Sequence, residues 1–170
     1  MEASDSAAPG ALLEGRFEGC NAFAQLVRDA LAHAGQAGWR EMILSDASFF
    51  DWPLGERAVI ASLDAWARSG RQLTMLAKNY DEVVRRHPRF VRWRSTWDHI
   101  IQCRVSPNAD ALDLPSMLWS PAWMMRRLDP VRSVGVAGAE PGRRVAGYEL
   151  LREWIQTKSS PGFSASTLGL

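Results

Sequence analysis

The feature that most constrains this chain is a pair of short apolar runs, Met42-Ile43-Leu44 and residues 73–77 (LTMLA), with one helix-length segment between them. Each run is too short for a helix and places apolar side chains on both alternating faces, the pattern of a strand buried from two sides. Between them, Val59, Leu63 and Trp66 fall at helical spacing before Gly70. A strand, a helix and a second strand in this order join through a right-handed crossover, which makes the two strands parallel.

The same reading extends outwards. Phe23, Leu26, Val27, Ala30, Leu31 and Ala34 predict an amphipathic helix over 21–34, with Asn21 as its N-cap and Gly35 as its stop. Residues 80–96 predict a helix broken at His87-Pro88, because proline disfavours helix in the residue before it and suits a first helical position. Residues 100–105 are a third strand candidate. Residues 117–119 and 123–128 then predict a hairpin around Ser120-Pro121, and Leu150, Leu151, Trp154 and Ile155 define a closing helix. The expected fold class is α/β: a mainly parallel sheet flanked by helices, with a C-terminal β-hairpin and a closing helix. The expected organisation is an N-terminal arm over 1–16, one domain over 17–157 and a tail over 158–170, whose Phe163, Leu168 and Leu170 suggest docking.

Composition narrows the function classes. At 170 residues and a formal charge of +1, the chain has the length of one domain and only a weak overall field. Two cysteines, Cys20 and Cys103, are too few for a disulfide framework or a cysteine-only zinc site. A reducing, cytoplasmic location is expected. Residues 1–10 lack the basic start and apolar run of a secretory signal, and no membrane partner is expected. No histidine lies at metal-ligand spacing from Asp46 or Asp51, so neither a metal nor a cofactor is expected.

Three groups of residues carry what chemistry there is. Residues 85–94 contain Arg85, Arg86, Arg89, Arg92 and Arg94 interleaved with Phe90 and Trp93. On one helix Arg85, Arg89 and Arg92 share a face, and Phe90, Trp93 and Trp97 share another. The guanidinium fork suits phosphate, and neighbouring aromatics suit base stacking, so this is a candidate anion site for a phosphate-containing ligand or nucleic acid. The competing reading is a solvated face whose arginines pair with Asp81, Glu82 and Asp98. The second group lies where ligands bind in open α/β sheets, beyond the carboxyl ends of the strands. Asp46, Asp51, Lys78 and Asn79 meet there, either as a ligand rim or as a turn in which Lys78 pairs with an aspartate. The third group is aromatic. Phe50 and Trp52, beside Phe49 and Pro53 in a loop, and Trp119 and Trp123, flanking a hairpin turn, are candidates for a self-association surface. His99 follows Asp98 at the start of the third strand, on the rim opposite Asp46.

The element order resembles one half of a phospholipase D-like domain. The segments DASFFDWPL, LTMLAKNYDEVVRRHPRFVRWRSTWDH and PGFSASTLGL also resemble a family of uncharacterised bacterial proteins, a likeness that covers most of the chain and implies no activity. The phospholipase D resemblance implies a phosphodiester site of the form H-x-K followed four residues later by Asp, with histidine attacking phosphorus and lysine holding the phosphate. Here Gly35, Arg89 and Ile101 stand two residues after His33, His87 and His99, so the motif is absent. The resemblance therefore points to a degenerate relative, and to pairing of two copies as such halves often pair. A non-catalytic interaction or scaffold module is the reading the sequence favours. Phosphate-ligand or nucleic-acid binding through residues 85–94 is the alternative, followed by a hydrolase or transferase with an unfamiliar site at the strand rim.

Overall fold

Alternation along the buried strands sets the layers. In β2 (Glu41–Ser45), Met42 and Leu44 point into one cluster with Phe23, Val27, Leu31, Leu63 and Trp66, whereas Ile43 points into another with Met117, Met124 and Leu151. The same division runs through β3 (Gln72–Ala77): Leu73 and Met75 join the first cluster, and Leu76 meets Leu114 and Trp154 on the second side. A strand with both faces apolar therefore acquires a helical layer on each. The computed structural model describes residues 11–164.

The first layer holds α1 (Cys20–Ala37), α2 (Arg57–Ala67) and α4 (Pro88–Thr96), and the second holds α5 (Pro141–Thr157). Helix α1 buries the six residues predicted, but it ends at Gly38, which adopts the left-handed conformation at φ 70, and not at Gly35. Gly35 instead lets the backbone of α2 approach, since an added Cβ would lie 3.3 Å from the Trp66 nitrogen. The break at His87-Pro88 is as the sequence implied: α3 (Asp81–Arg86) ends and Pro88 opens α4.

Among the described residues the sheet is mixed and eight-stranded, in the order β1-β7-β6-β5-β2-β3-β4-β8. Only β2, β3 and β4 (Ile101–Val105) are parallel, as the crossover argument required. The other neighbours pair antiparallel: β1 (Gly15–Glu18), β5 (Ser116–Trp119), β6 (Met124–Asp129), β7 (Val134–Gly138) and β8 (Ser160–Pro161). The expectation of a mainly parallel sheet is corrected by the strands that the pattern missed. β7 reads VGVAG, β1 carries one buried residue, Phe17, and β8 contains a proline, so none has the apolar alternation of a strand. Pairing with existing strands holds them in place. The hairpin β5–β6 exists, but it lies inside the sheet, between β2 and β7.

The ends of the described chain are tied in. Residues 15 and 16, expected within an N-terminal arm, pair with Ala137 and Val136. After β8, Phe163 stacks on Tyr80 at 4.7 Å and its carbonyl accepts from Arg94 Nη2 at 2.6 Å. Leu168 and Leu170, the other apolar residues of the tail, lie outside the described residues. No helix among the described residues is long and apolar enough to cross a membrane.

Gly135 is the tightest point of the antiparallel half. A Cβ there would overlap the Arg126 carbonyl oxygen and come within 2.7 Å of the Phe17 ring. Gly135→Ala is expected to destabilise the fold by about 1–3 kcal/mol, because the obstruction is backbone that has little room to shift. Urea denaturation of wild type and variant measures this, and an unchanged midpoint would contradict it.

Candidate functional site

The carboxyl ends of the parallel strands are organised around a residue the sequence reading did not single out. Arg127, near the end of β6, has a side chain only 2 % exposed. Its Nε–H donates to Ser116 Oγ (2.9 Å), Nη1 to Asp51 Oδ2 (2.6 Å) and Ser133 Oγ (3.1 Å), and Nη2 to Asp46 Oδ1 (2.8 Å) and Asp51 Oδ1 (3.1 Å). These contacts use all of the N–H groups that a guanidinium offers. The Phe23 ring lies 3.9 Å beneath it. Burial works against the charged form, but the hydrogen bonds and charges of Asp51 and Asp46 outweigh it, so Arg127 holds its proton more tightly than a free arginine.

This cluster shapes the loop that follows β2. Asp46 turns its second oxygen, Oδ2, to the backbone N–H groups of Ser48 (3.2 Å) and Phe49 (2.8 Å). His87 Nε2–H donates to the Phe49 carbonyl at 2.9 Å, which places the proton of a neutral ring on Nε2. Held from both sides, Phe49 sits at φ 58, a left-handed conformation costing a non-glycine residue on the order of 1–3 kcal/mol. Phe49 is fully buried, while its neighbour Phe50 is 53 % exposed.

One member of the strand rim, Asp51, and two of the arginine-rich segment, Arg86 and Arg89, meet in one groove. An open groove of about 570 Å³ is lined by Phe50, Asp51 and Glu56 from the loop, by Arg28 from α1, and by Arg86, His87 and Arg89 from the α3–α4 junction. Both of its acids are ion-paired, although Arg127 shares one charge between Asp51 and Asp46. Asp51 is held by Arg127, and Arg28 grips Glu56 through two bonds of 2.7 and 2.8 Å, which hold the Glu56 carboxyl below its ordinary range. Arg86 and Arg89 have no carboxylate partner among the described residues. Arg89 Nη1 donates to the Gly55 carbonyl (2.9 Å), and Arg86 lies 3.8 Å over the Phe50 ring with a long 3.5 Å contact to the Phe50 carbonyl. A carbonyl satisfies a donor without neutralising its charge, so the groove carries two uncompensated cations on one wall.

The other candidates sort by burial. Arg85 pairs with Glu82 at 2.6 Å, and Arg92 is exposed on α4 but outside the groove. Arg94 is no surface arginine: it is 4 % exposed and bonds Asp98 as well as the Phe163 carbonyl, because the turn of α4 that carries it faces the C-terminal segment. Lys78 pairs with neither aspartate, since Arg127 fills both, and Asn79 Oδ1 accepts from the Asp81 N–H at the start of α3. His99 precedes β4 at the opposite rim, as expected, its ring tilted against Trp97 at 5.8 Å.

The proposed aromatic surface is mostly interior. Trp52, Trp119 and Trp123 are 1 %, 7 % and 3 % exposed, because Trp52 packs edge-on against Phe23 and Phe49 while β5 and β6 lie inside the sheet. Trp119 and Trp123 direct their indole N–H groups to the carbonyls of Arg144 and Leu13. Only Phe50 of that set faces outwards.

No protein-family model and no curated protein matches the chain. Among solved structures it is similar to TrmBL2, an archaeal chromatin protein that shows a novel mode of DNA binding, with a TM-score of 0.66 at 13 % identity. The similarity covers 94 % of this chain and 57 % of TrmBL2, so this chain spans little more than half of that protein's length. At this identity the likeness shows the fold.

Two outcomes follow from the buried cluster. Arg127→Ala leaves Asp46 and Asp51 facing an unpaired site and is expected to destabilise by about 3–5 kcal/mol, with Arg127→Lys recovering only part because an ammonium lacks the fork. Chemical denaturation tests both, and a loss within about 0.5 kcal/mol, the usual range of a surface change, would overturn the central role of Arg127. Burial, with Arg86 nearby, also pulls the His87 imidazole below its ordinary value. A base whose folded pKa is depressed contributes stability above its unfolded pKa of about 6.5 and loses it as pH falls below that value towards the folded one. Wild type is therefore expected to lose more stability than His87→Gln on acidification below neutrality, since Gln keeps a donor for the Phe49 carbonyl without titrating. Parallel slopes for the two proteins would refute it.

Proposed function

We propose that this protein binds a phosphate-containing ligand, nucleic acid foremost, in the groove between the loop after β2 and the α3–α4 junction. The observation that carries this reading is the pair Arg86 and Arg89, which have no carboxylate partner among the described residues, while Asp51 and Glu56 on the same groove are each bound by another arginine. Arginine is the side chain best suited to phosphate oxygens, and cations in a concave site concentrate an anionic ligand. The fold shared with TrmBL2 supports nucleic acid as the class, given the DNA binding attributed to that protein.

The scaffold is read as phospholipase D-like, related to the uncharacterised bacterial family whose segments it resembles. The order of helices and strands, with a phosphate-directed groove at the carboxyl ends of the parallel strands, supports that reading. On this scaffold the groove retains phosphate affinity without the H-x-K nucleophile, since none of the three histidines has a lysine two residues later. Binding, not phosphodiester cleavage, is the activity proposed.

Fluorescence anisotropy of a labelled oligonucleotide over a salt series tests this. Affinity is expected to fall steeply with salt, and Arg86→Ala and Arg89→Ala each to reduce the slope of log K against log salt by about one, whereas Arg85→Ala, whose charge Glu82 already balances, leaves it nearly unchanged. Absence of binding at low salt, or equal effects from all three substitutions, would sink the proposal.

A further inference from the structure

The groove holds one feature that phosphate binding alone does not use: Phe50, 53 % exposed on its lip. Its placement is enforced. Asp46 Oδ2, His87 Nε2 and the left-handed turn at Phe49 fix the loop so that one phenyl ring is buried as an anchor and the next is turned outwards. An apolar ring of that size gains nothing from exposure, and the buried cluster behind it orders the loop before any ligand arrives.

The Arg86 guanidinium rests 3.8 Å over this ring, tethered only by the 3.5 Å contact to the Phe50 carbonyl. A flat, polarisable cation on an aromatic face occupies the position a planar base would take, and a guanidinium so weakly tethered is free to turn to a phosphate instead. Arg89, held at Gly55 on the same groove, supplies a second phosphate donor. The volume, about 570 Å³, matches a nucleotide-sized unit.

Resting on the phosphate-binding reading above, we propose that the groove takes one unpaired nucleotide, its base stacked on Phe50 and its phosphate held by Arg86 and Arg89. Stacking on a side chain requires a base free of its neighbours, so the ligand is single-stranded nucleic acid or a free nucleotide, and a base-paired duplex does not satisfy the site.

The test compares four probes by anisotropy and competition: a single strand, its duplex, an abasic strand of the same length, and a nucleoside monophosphate. Wild type is expected to bind the base-bearing strand more tightly than the abasic strand or the duplex. Phe50→Ala should weaken base-bearing binding on the order of tenfold and leave abasic binding unchanged, with Phe50→Trp restoring the loss. Phe50 is exposed, so equal thermal midpoints for these variants show that folding is not the cause. Displacement of the strand by the monophosphate at similar concentration assigns the free nucleotide as ligand, and resistance to it assigns the strand. Equal binding of base-bearing and abasic strands, or no effect of Phe50→Ala, overturns the stacking inference while leaving phosphate binding intact. Failure to bind any probe at low salt overturns both.

Discussion

The buried fork of Arg127 is the interaction on which the rest of this structure depends. It joins the loop after β2, through Asp46 and Asp51, to the start of β5 through Ser116 and to the turn before β7 through Ser133. The parallel and antiparallel halves of the sheet are thus tied at one rim by a single side chain. A buried charge is tolerable only when its donors are filled, and here every N–H has an acceptor and an aromatic ring lies beneath. The strain at Phe49 persists for the same reason, because its own N–H is held by Asp46 of this cluster and its carbonyl by His87.

That arrangement also decides which charges remain available. Asp51 is held by Arg127 and Glu56 by Arg28, so both acids of the groove are paired and Arg86 and Arg89 are left without a carboxylate partner among the described residues. Arg86 meets the Phe50 carbonyl and lies over the Phe50 ring, and Arg89 meets the Gly55 carbonyl. The cluster that stabilises the rim and the cations proposed to meet a ligand are therefore separate sets of residues. Ligand affinity can change without disturbing the fold.

Both polar constellations are visible in the sequence, but not that Asp51 of one and Arg86 and Arg89 of the other line a common groove. Asp46 and Asp51 were legible because residues just past a buried parallel strand lie at the ligand-binding edge of such sheets. Arg86 and Arg89 were legible as members of an arginine-rich segment, though the pattern did not separate them from Arg94, which is buried, or from Arg85, which Glu82 neutralises. Arg127 carried no local signal. It is 81 residues from Asp46 and 76 from Asp51, and at its place in the strand it reads as one more polar residue after Met124 and Met125. The tryptophans misled for a related reason: loop and hairpin aromatics look exposed until the segments that pack on them are known, here Phe23 on Trp52, Tyr148 on Trp119 and Trp39 on Trp123.

Local periodicity was enough to determine the strand–helix–strand crossover, the face that α1 buries, and the break at His87-Pro88, because each depends on burial repeated at helical or strand spacing or on the geometry of proline. Tertiary structure alone decided strands β1, β7 and β8, the order of the strands in the sheet, the interior position of Trp52, Trp119 and Trp123, and the partners of every groove charge. Those outcomes rest on contacts between segments far apart in the chain. A strand such as VGVAG becomes a strand only because a neighbour completes its hydrogen bonds, and an arginine becomes a free cation or a buried tie according to which carboxylate the fold brings to it.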